Sequence, residues 1–70
     1  STPEEKVNAF AAQEFSDAKI SFVEGSCTLN VSLKLADAAN IVMKKFRFLE
    51  NAFAAVPELK SIKFEEEYTK

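Results

Sequence analysis

The sequence predicts a small α+β domain, a two-layer αββαβ sandwich in which two helices cover one face of a three-stranded sheet. Three observations predict it: a long helical pattern at residues 37–56, a strictly alternating run at residues 27–35, and a turn signal around Gly25. Seventy residues suffice for one domain, residues 1–70, whose core would be close to the minimum size. Pairing of two chains would therefore add useful burial.

The first element is an amphipathic helix. Thr2 is a good cap, Pro3 suits the first helical position, and Glu5 completes a capping box. Apolar residues then recur at helical spacing, at Val7, Phe10, Ala11 and Phe15. This helix of about twelve residues is too short to persist alone, so it needs a packing partner.

Two strands joined by a hairpin follow the first helix. Residues 18–23 alternate with period two, with Ile20 and Phe22 on one face, and the three residues 24–26 form the turn. Gly25 supplies the positive φ that such a turn requires. The second strand has the cleanest alternation, and its inward side chains are Cys27, Leu29, Val31, Leu33 and Leu35.

The longest pattern, residues 37–56, predicts a helix about 30 Å long. Asp37 can cap its first amides, and Pro57 ends it. One apolar stripe lies within about 80° of arc, and we expect it to face the sheet. This predicted core stripe consists of Val42, Phe46, Leu49, Phe53 and Val56.

Residues 59–64 predict a third strand parallel to the second, with Ile62 and Phe64 pointing inward. Beside the second strand it would give a mixed sheet, and beside the first an antiparallel one; the sequence leaves both arrangements open. Residues 65–70 are expected to form a solvated acidic end.

Residues 17–33 together with residues 56–62 resemble the pattern of the BON domain in outline. The resemblance implies the same two-layer architecture. Asn30 and Glu58 stand where that family usually carries Gly, and the helix between the second and third strands is longer here. Shared architecture by itself implies no function.

The composition argues against an enzyme and against a cofactor or metal site. Histidine is absent, which removes the commonest general base and zinc ligand, and there is a single cysteine, Cys27. We expect Cys27 to be a buried apolar group, with a reactive thiol as the minor alternative. A lone cysteine favours a reducing, cytoplasmic compartment, although the sequence leaves the localisation open.

The charge pattern gives no general attraction for nucleic acid. The formal net charge is −2, the isoelectric point is near 5.1, and no apolar run is long enough to span a membrane. The polar sheet face carries three lysines and no aromatic ring, so an anionic ligand or acidic protein surface fits it better than RNA. The candidate residues are Lys19, Lys34 and Lys63, and a plain solvated face is the simpler interpretation.

The long helix has more apolar surface than one sheet face needs. The additional residues are Ile41, Met43, Phe48, Ala52 and Ala55. Either the first helix covers the flank that contains Ile41 and Phe48, or these residues form a self-association patch.

The leading functional hypothesis is a non-enzymatic protein-interaction module that pairs with itself as a homodimer or with another protein chain. The alternative is a domain that binds a small apolar molecule or lipid in a pocket between the helices and the sheet.

Overall fold

The computed structural model describes residues 2–70. In chain order these form α1 (Pro3–Glu14), β1 (Ala18–Val23), β2 (Ser26–Lys34), a 3₁₀ helix (Leu35–Asn40), α2 (Ile41–Ala55) and β3 (Ser61–Thr69). The sheet order is β1-β2-β3, with β1 antiparallel and β3 parallel to β2. The predicted α+β class and element order are confirmed, and of the two open arrangements the mixed sheet is the one that forms.

Helix α1 begins as the sequence predicts. The Thr2 N–H donates to Glu5 Oε1 at 2.8 Å, and the Glu5 N–H donates to Thr2 Oγ1 at 3.1 Å, which is a complete capping box. The hydrogen bond from the Thr2 backbone lowers the pKa of the Glu5 carboxyl. Val7 and Ala11 are buried on the inner side of the helix.

The hairpin turn contains two residues, one fewer than the three expected. Glu24 and Gly25 have φ values of 48° and 85°, and the ladder closes with Val23 opposite Ser26. Two successive positive φ values are typical of the type I′ turn that fits the twist of paired strands. The Gly25 carbonyl also accepts a hydrogen bond from the Lys60 N–H at 2.8 Å, which ties the turn to the start of β3.

Strand β2 lies in the middle of the sheet and supplies much of the core. Four of its five predicted inward side chains are buried, at Cys27, Leu29, Val31 and Leu33. The prediction for Leu35 is wrong: this side chain is 59% exposed. Because the strand ends at Lys34 and a 3₁₀ helix follows, the alternation of the strand no longer directs Leu35 inward.

Helix α2 differs from its prediction at its start and in its orientation. It begins at Ile41, because Asp37 lies in the preceding 3₁₀ helix, and its cap residue Asn40 makes no side-chain capping hydrogen bond. The side of α2 that is buried carries Ile41, Phe48 and Ala52. In the predicted core stripe, three of the five residues are exposed, at Val42 (66%), Phe46 (66%) and Phe53 (42%). The helix is thus rotated by about 100° from the predicted orientation.

An aromatic cluster explains this rotation. The Phe48 ring lies between Phe15, which follows α1, and Phe64 of β3, with centroids 6.3 Å and 5.7 Å away. Phe15 and Phe64 are themselves 6.2 Å apart, and all three pairs meet edge to face. Such contacts add to the burial of each ring, so the orientation that places Phe48 at their centre is favoured.

Strand β3 begins two residues later than the predicted residues 59–64 and extends well beyond their end. It continues to Thr69, and residues 65–69 pair with residues 30–34 of β2. The acidic end is therefore part of the sheet, although its side chains are exposed. Each of the nine residues of β3 is paired with one of the nine residues of β2. The backbone of the acidic residues 65–67 is therefore hydrogen-bonded within the sheet, like the rest of β3.

Replacing Gly25 with Ala is expected to lower the free energy of unfolding by about 1–3 kcal/mol, because a Cβ is strained at this positive φ. The new Cβ would also lie 2.9 Å from the Glu58 carbonyl oxygen. Glu24→Asn is the matched control, since Asn-Gly suits a type I′ turn, and it should maintain or raise stability. Urea unfolding of the three proteins measures both effects. Equal losses from both substitutions would contradict this account of the turn.

Candidate functional site

The structure separates the residues that the sequence grouped as a possible interface. Ile41, Phe48 and Ala52 are buried, at 8%, 0% and 0% exposure, and Ala55 is half-buried. Only Met43 is exposed, at 60%. The self-association patch built on these five residues is therefore wrong, because most of them already form the core.

The flank that contains Phe48 is covered from within the chain, as the other interpretation expected. Besides the contact between Phe15 and Phe48, Arg47 binds Glu14 at the end of α1, with its Nη2 at 2.9 Å from the carboxylate oxygen. This hydrogen bond raises the pKa of Arg47. Helix α1 thus lies beside α2 on this flank.

The opposite flank of α2 is apolar and largely exposed. We call it the α2 stripe, and it consists of Val42, Phe46, Leu49 and Phe53. Leu49 is half-buried, and the other three are the exposed residues of the predicted core stripe. From Val42 to Phe53 the stripe runs about 17 Å along the helix. Large side chains grouped in this way indicate a contact surface more strongly than the same residues scattered singly.

A groove of about 420 Å³ runs between the α2 stripe and β3. Its β3 side is formed by Glu66 and Tyr68, and Lys45 of α2 reaches across it to Glu66 at 3.5 Å. The same ammonium group lies 4.7 Å from the centroid of the Phe64 ring. The charge of Lys45 is thus held between the Glu66 carboxylate and the face of the Phe64 ring.

Tyr68 and Glu66 form the polar end of this groove. The Tyr68 hydroxyl donates to Glu66 Oε1 at 3.1 Å. Loss of hydration raises the pKa of the Tyr68 phenol, and its hydrogen bond to the Glu66 carboxylate acts in the same direction. Sequence reasoning missed both residues as parts of a site. The signal was present, because the alternation of Ile62 and Phe64 continues through Glu66 to Tyr68.

The outer edge of β3 lies next to the groove. Within residues 2–70, β3 pairs with β2 alone, so its other edge has no partner strand. An unpaired edge presents backbone N–H and C=O groups that can pair with another strand. The α2 stripe and this edge together form one continuous region, which we call the α2/β3 surface.

The three lysines proposed for an anionic partner do not converge. Lys19 lies opposite Asn30, Lys63 opposite Thr28, and Lys34 opposite Thr69 at the far end of the sheet. Measured along β2, Lys34 lies about 13 Å from Asn30, the residue opposite Lys19. A shallow depression of about 190 Å³ beside Lys19 is also lined by three acids, at Asp17, Glu65 and Glu67. This mixed charge does not favour an anionic ligand.

Cys27 lies on the inner face of the middle strand and is 2% exposed. Burial raises the pKa of its thiol, and the negative charge of Glu4 acts in the same direction. Among residues 2–70, no three His, Cys, Asp or Glu side chains are grouped so that they could hold a metal ion. The described helices are too short or too polar to cross a membrane.

No family model and no curated protein matches this sequence significantly. Among solved structures, the fold is similar to part of CdsD, a structural protein of the type III secretion system of Chlamydia trachomatis, with a TM-score of 0.67. The two share 17% sequence identity over 96% of this chain and 32% of that chain. The chain thus spans about a third of that protein chain, and the similarity establishes a shared fold. The resemblance to the BON domain over residues 17–33 and 56–62 stays a prediction.

Phe48→Glu is expected to unfold the domain, because it places a charge in the centre of the aromatic cluster, where loss of the ring alone costs about 3–5 kcal/mol. Phe46→Glu should change the stability of the single chain by no more than about 0.5 kcal/mol, because the side chain is exposed. Circular dichroism during heating, on dilute samples, compares the two. A folded Phe48→Glu protein would contradict the observed orientation of α2.

Cys27 is expected to react with iodoacetamide only when the domain opens, since its thiol is buried and its pKa is raised. Ser32→Cys provides an exposed thiol on the other face of the same strand and should react quickly. Because the unfolded thiol ionises first, stability should fall as the pH rises above the ordinary thiol pKa of about 8.5. Mass spectrometry of labelled samples follows the reaction, and fast labelling of native Cys27 would contradict this description.

Proposed function

We propose that this chain is a non-enzymatic protein-interaction domain that associates with a second copy of itself through the α2/β3 surface. One observation carries the proposal: Val42 and Phe46 are both 66% exposed and Phe53 is 42% exposed on one side of α2. Covering these side chains would remove apolar surface from water, which is the main driving force for association between proteins.

The position of the stripe supports a protein partner. It lies beside a strand edge, so a partner could gain apolar contacts from α2 and backbone hydrogen bonds from β3 at the same time. The groove between them is open to solvent, and the Lys45–Glu66 ion pair and Tyr68 lie at its β3 side. An apolar centre with a polar rim is the usual composition of protein interfaces.

The similar structure supports the same class of function. CdsD is a structural protein of a secretion system, and this fold makes up part of its chain. A role in protein assembly is consistent with that similarity, and the proposal assigns this chain to no particular system. The residue content agrees, because a chain without histidine, whose only thiol is buried with a raised pKa, has few groups for catalysis.

The alternative, a ligand pocket between the helices and the sheet, has less support. That layer is filled by side chains from both helices and from the strands. Val7, Phe15, Leu29 and Phe48 are each at most 3% exposed within it. The apolar groove lies between α2 and β3 at the open edge of this layer, where a second chain fits better than an enclosed small molecule.

Sedimentation equilibrium at chain concentrations between about 1 μM and 1 mM tests the proposed self-association. This range detects binding free energies of about −8 to −4 kcal/mol. The mass of the unmodified chain is expected to rise from 7.8 kDa towards twice that value across this range. Phe46→Glu should hold the mass at 7.8 kDa throughout, because it places a charge at the centre of the stripe.

Val23→Glu is the matched control. Val23 is 65% exposed, like Phe46, but it lies at the end of β1 on the opposite edge of the sheet. This substitution should leave self-association unchanged. The proposed function would be refuted by a constant mass of 7.8 kDa for the unmodified chain. It would also be refuted if the Phe46→Glu variant associated as strongly as the unmodified chain.

A further inference from the structure

We propose that the two copies join along β3, antiparallel, about a two-fold axis beside Phe64, so that Lys63 of each copy lies opposite Glu65 of the other. This inference rests on the proposed self-association and specifies its geometry. The result would be one continuous sheet of six strands, three from each copy, with both α2 helices above the seam.

The symmetry limits how two identical edges can meet. A two-fold axis perpendicular to the sheet makes the paired β3 strands antiparallel and keeps all four helices on one face. Directly opposite residues in an antiparallel pair point to the same face. A residue on the outer face, such as Lys63 or Glu65, must therefore lie opposite another outer-face residue. Since residues of one face are an even number of positions apart, one residue always lies at the axis opposite its own copy, and that residue defines the register.

The charges on the outer face favour one of these registers. With the axis at Phe64, Lys63 meets the partner copy's Glu65 twice, and Ser61 meets Glu67. Moving the axis to Lys63, Glu65, Glu66 or Glu67 places that residue opposite its own copy, which puts like charges in direct contact. Among these five positions, only the axis at Phe64 brings opposite charges together without a like-charged pair.

The inner face is compatible with the same register. Phe64, whose ring packs against Phe48 and lies under the Lys45 ammonium group, would meet the partner copy's Phe64 at the axis. Ile62 would lie opposite Glu66, whose carboxylate already has a counter-charge, Lys45 at 3.5 Å in its own chain. Because the α2 stripe faces the β3 edge, Phe46 of the two helices could meet across the seam at the usual helix separation of about 8–10 Å.

The other sheet edge is a weaker candidate for a symmetric seam. Strand β1 has six residues, Ala18–Val23, and its only charged residue is Lys19. It therefore offers no pair of opposite charges to a second copy. The exposed apolar stripe also lies on the β3 side, as its shared groove with Glu66 and Tyr68 demonstrates.

Charge exchange tests this register. Lys63→Glu and Glu65→Lys each convert two opposite-charge pairs into two like-charge pairs, so each should weaken self-association by at least about 10-fold. The double variant Lys63→Glu/Glu65→Lys restores both pairs and should recover the affinity of the unmodified chain. An equimolar mixture of the two single variants should form heterodimers more readily than either variant forms homodimers.

Both side chains are exposed, so circular dichroism should confirm that every variant remains folded when dilute. The loss of self-association in the single variants should shrink as salt is raised from about 0.05 to 0.5 M, because the screening length falls below 10 Å.

The Phe64 register would be overturned if self-association were weakened equally in the single and double variants, or if masses rose above twice 7.8 kDa. If the register were overturned in this way but Phe46→Glu still abolished association, the proposed self-association through the α2/β3 surface would stand without the Phe64 register. A chain that is monomeric throughout would overturn both.

Discussion

The edge-to-face contact of Phe48 with Phe15 and Phe64 is the interaction on which the rest of the fold depends. It joins the end of α1, the middle of α2 and the third strand at one point, with ring centroids 5.7–6.3 Å apart. Once Phe48 occupies that place, the rotation of α2 is fixed. The other large apolar side chains of the helix then lie either in the core or on the open flank.

The open flank follows from a mismatch between the helix and the sheet. A sheet of three strands presents one limited apolar face, and α1 already occupies part of it beside α2. Helix α2 carries large apolar residues on two sides, so only one side can be buried within the chain. The surplus is the α2 stripe, which would be buried by a second chain. A small domain has few other ways to increase its burial.

The length of β3 gives the open flank its second component. Because β2 has nine residues, the acidic residues 65–67 pair with it and belong to the sheet. This arrangement gives the outer edge an ordered sequence of charges beside an apolar groove. Lys63 and Glu65 then lie two residues apart on one face, which is the spacing that makes an edge complementary to its own copy.

The sequence by itself determined the class, the element order, the capping box at Thr2, the position of the turn at Gly25 and the alternation of residues 27–33, because each depends on neighbouring residues or on a regular backbone period. Tertiary structure decided the mixed strand order, the orientation of α2 and the extent of β3. Val42 and Phe46 have the same helical periodicity as a core stripe, yet Phe48 and Ala52 occupy the core. Two apolar sides of one helix compete for the same small sheet face, and periodicity carries no information about which side packs against Phe15 and Phe64.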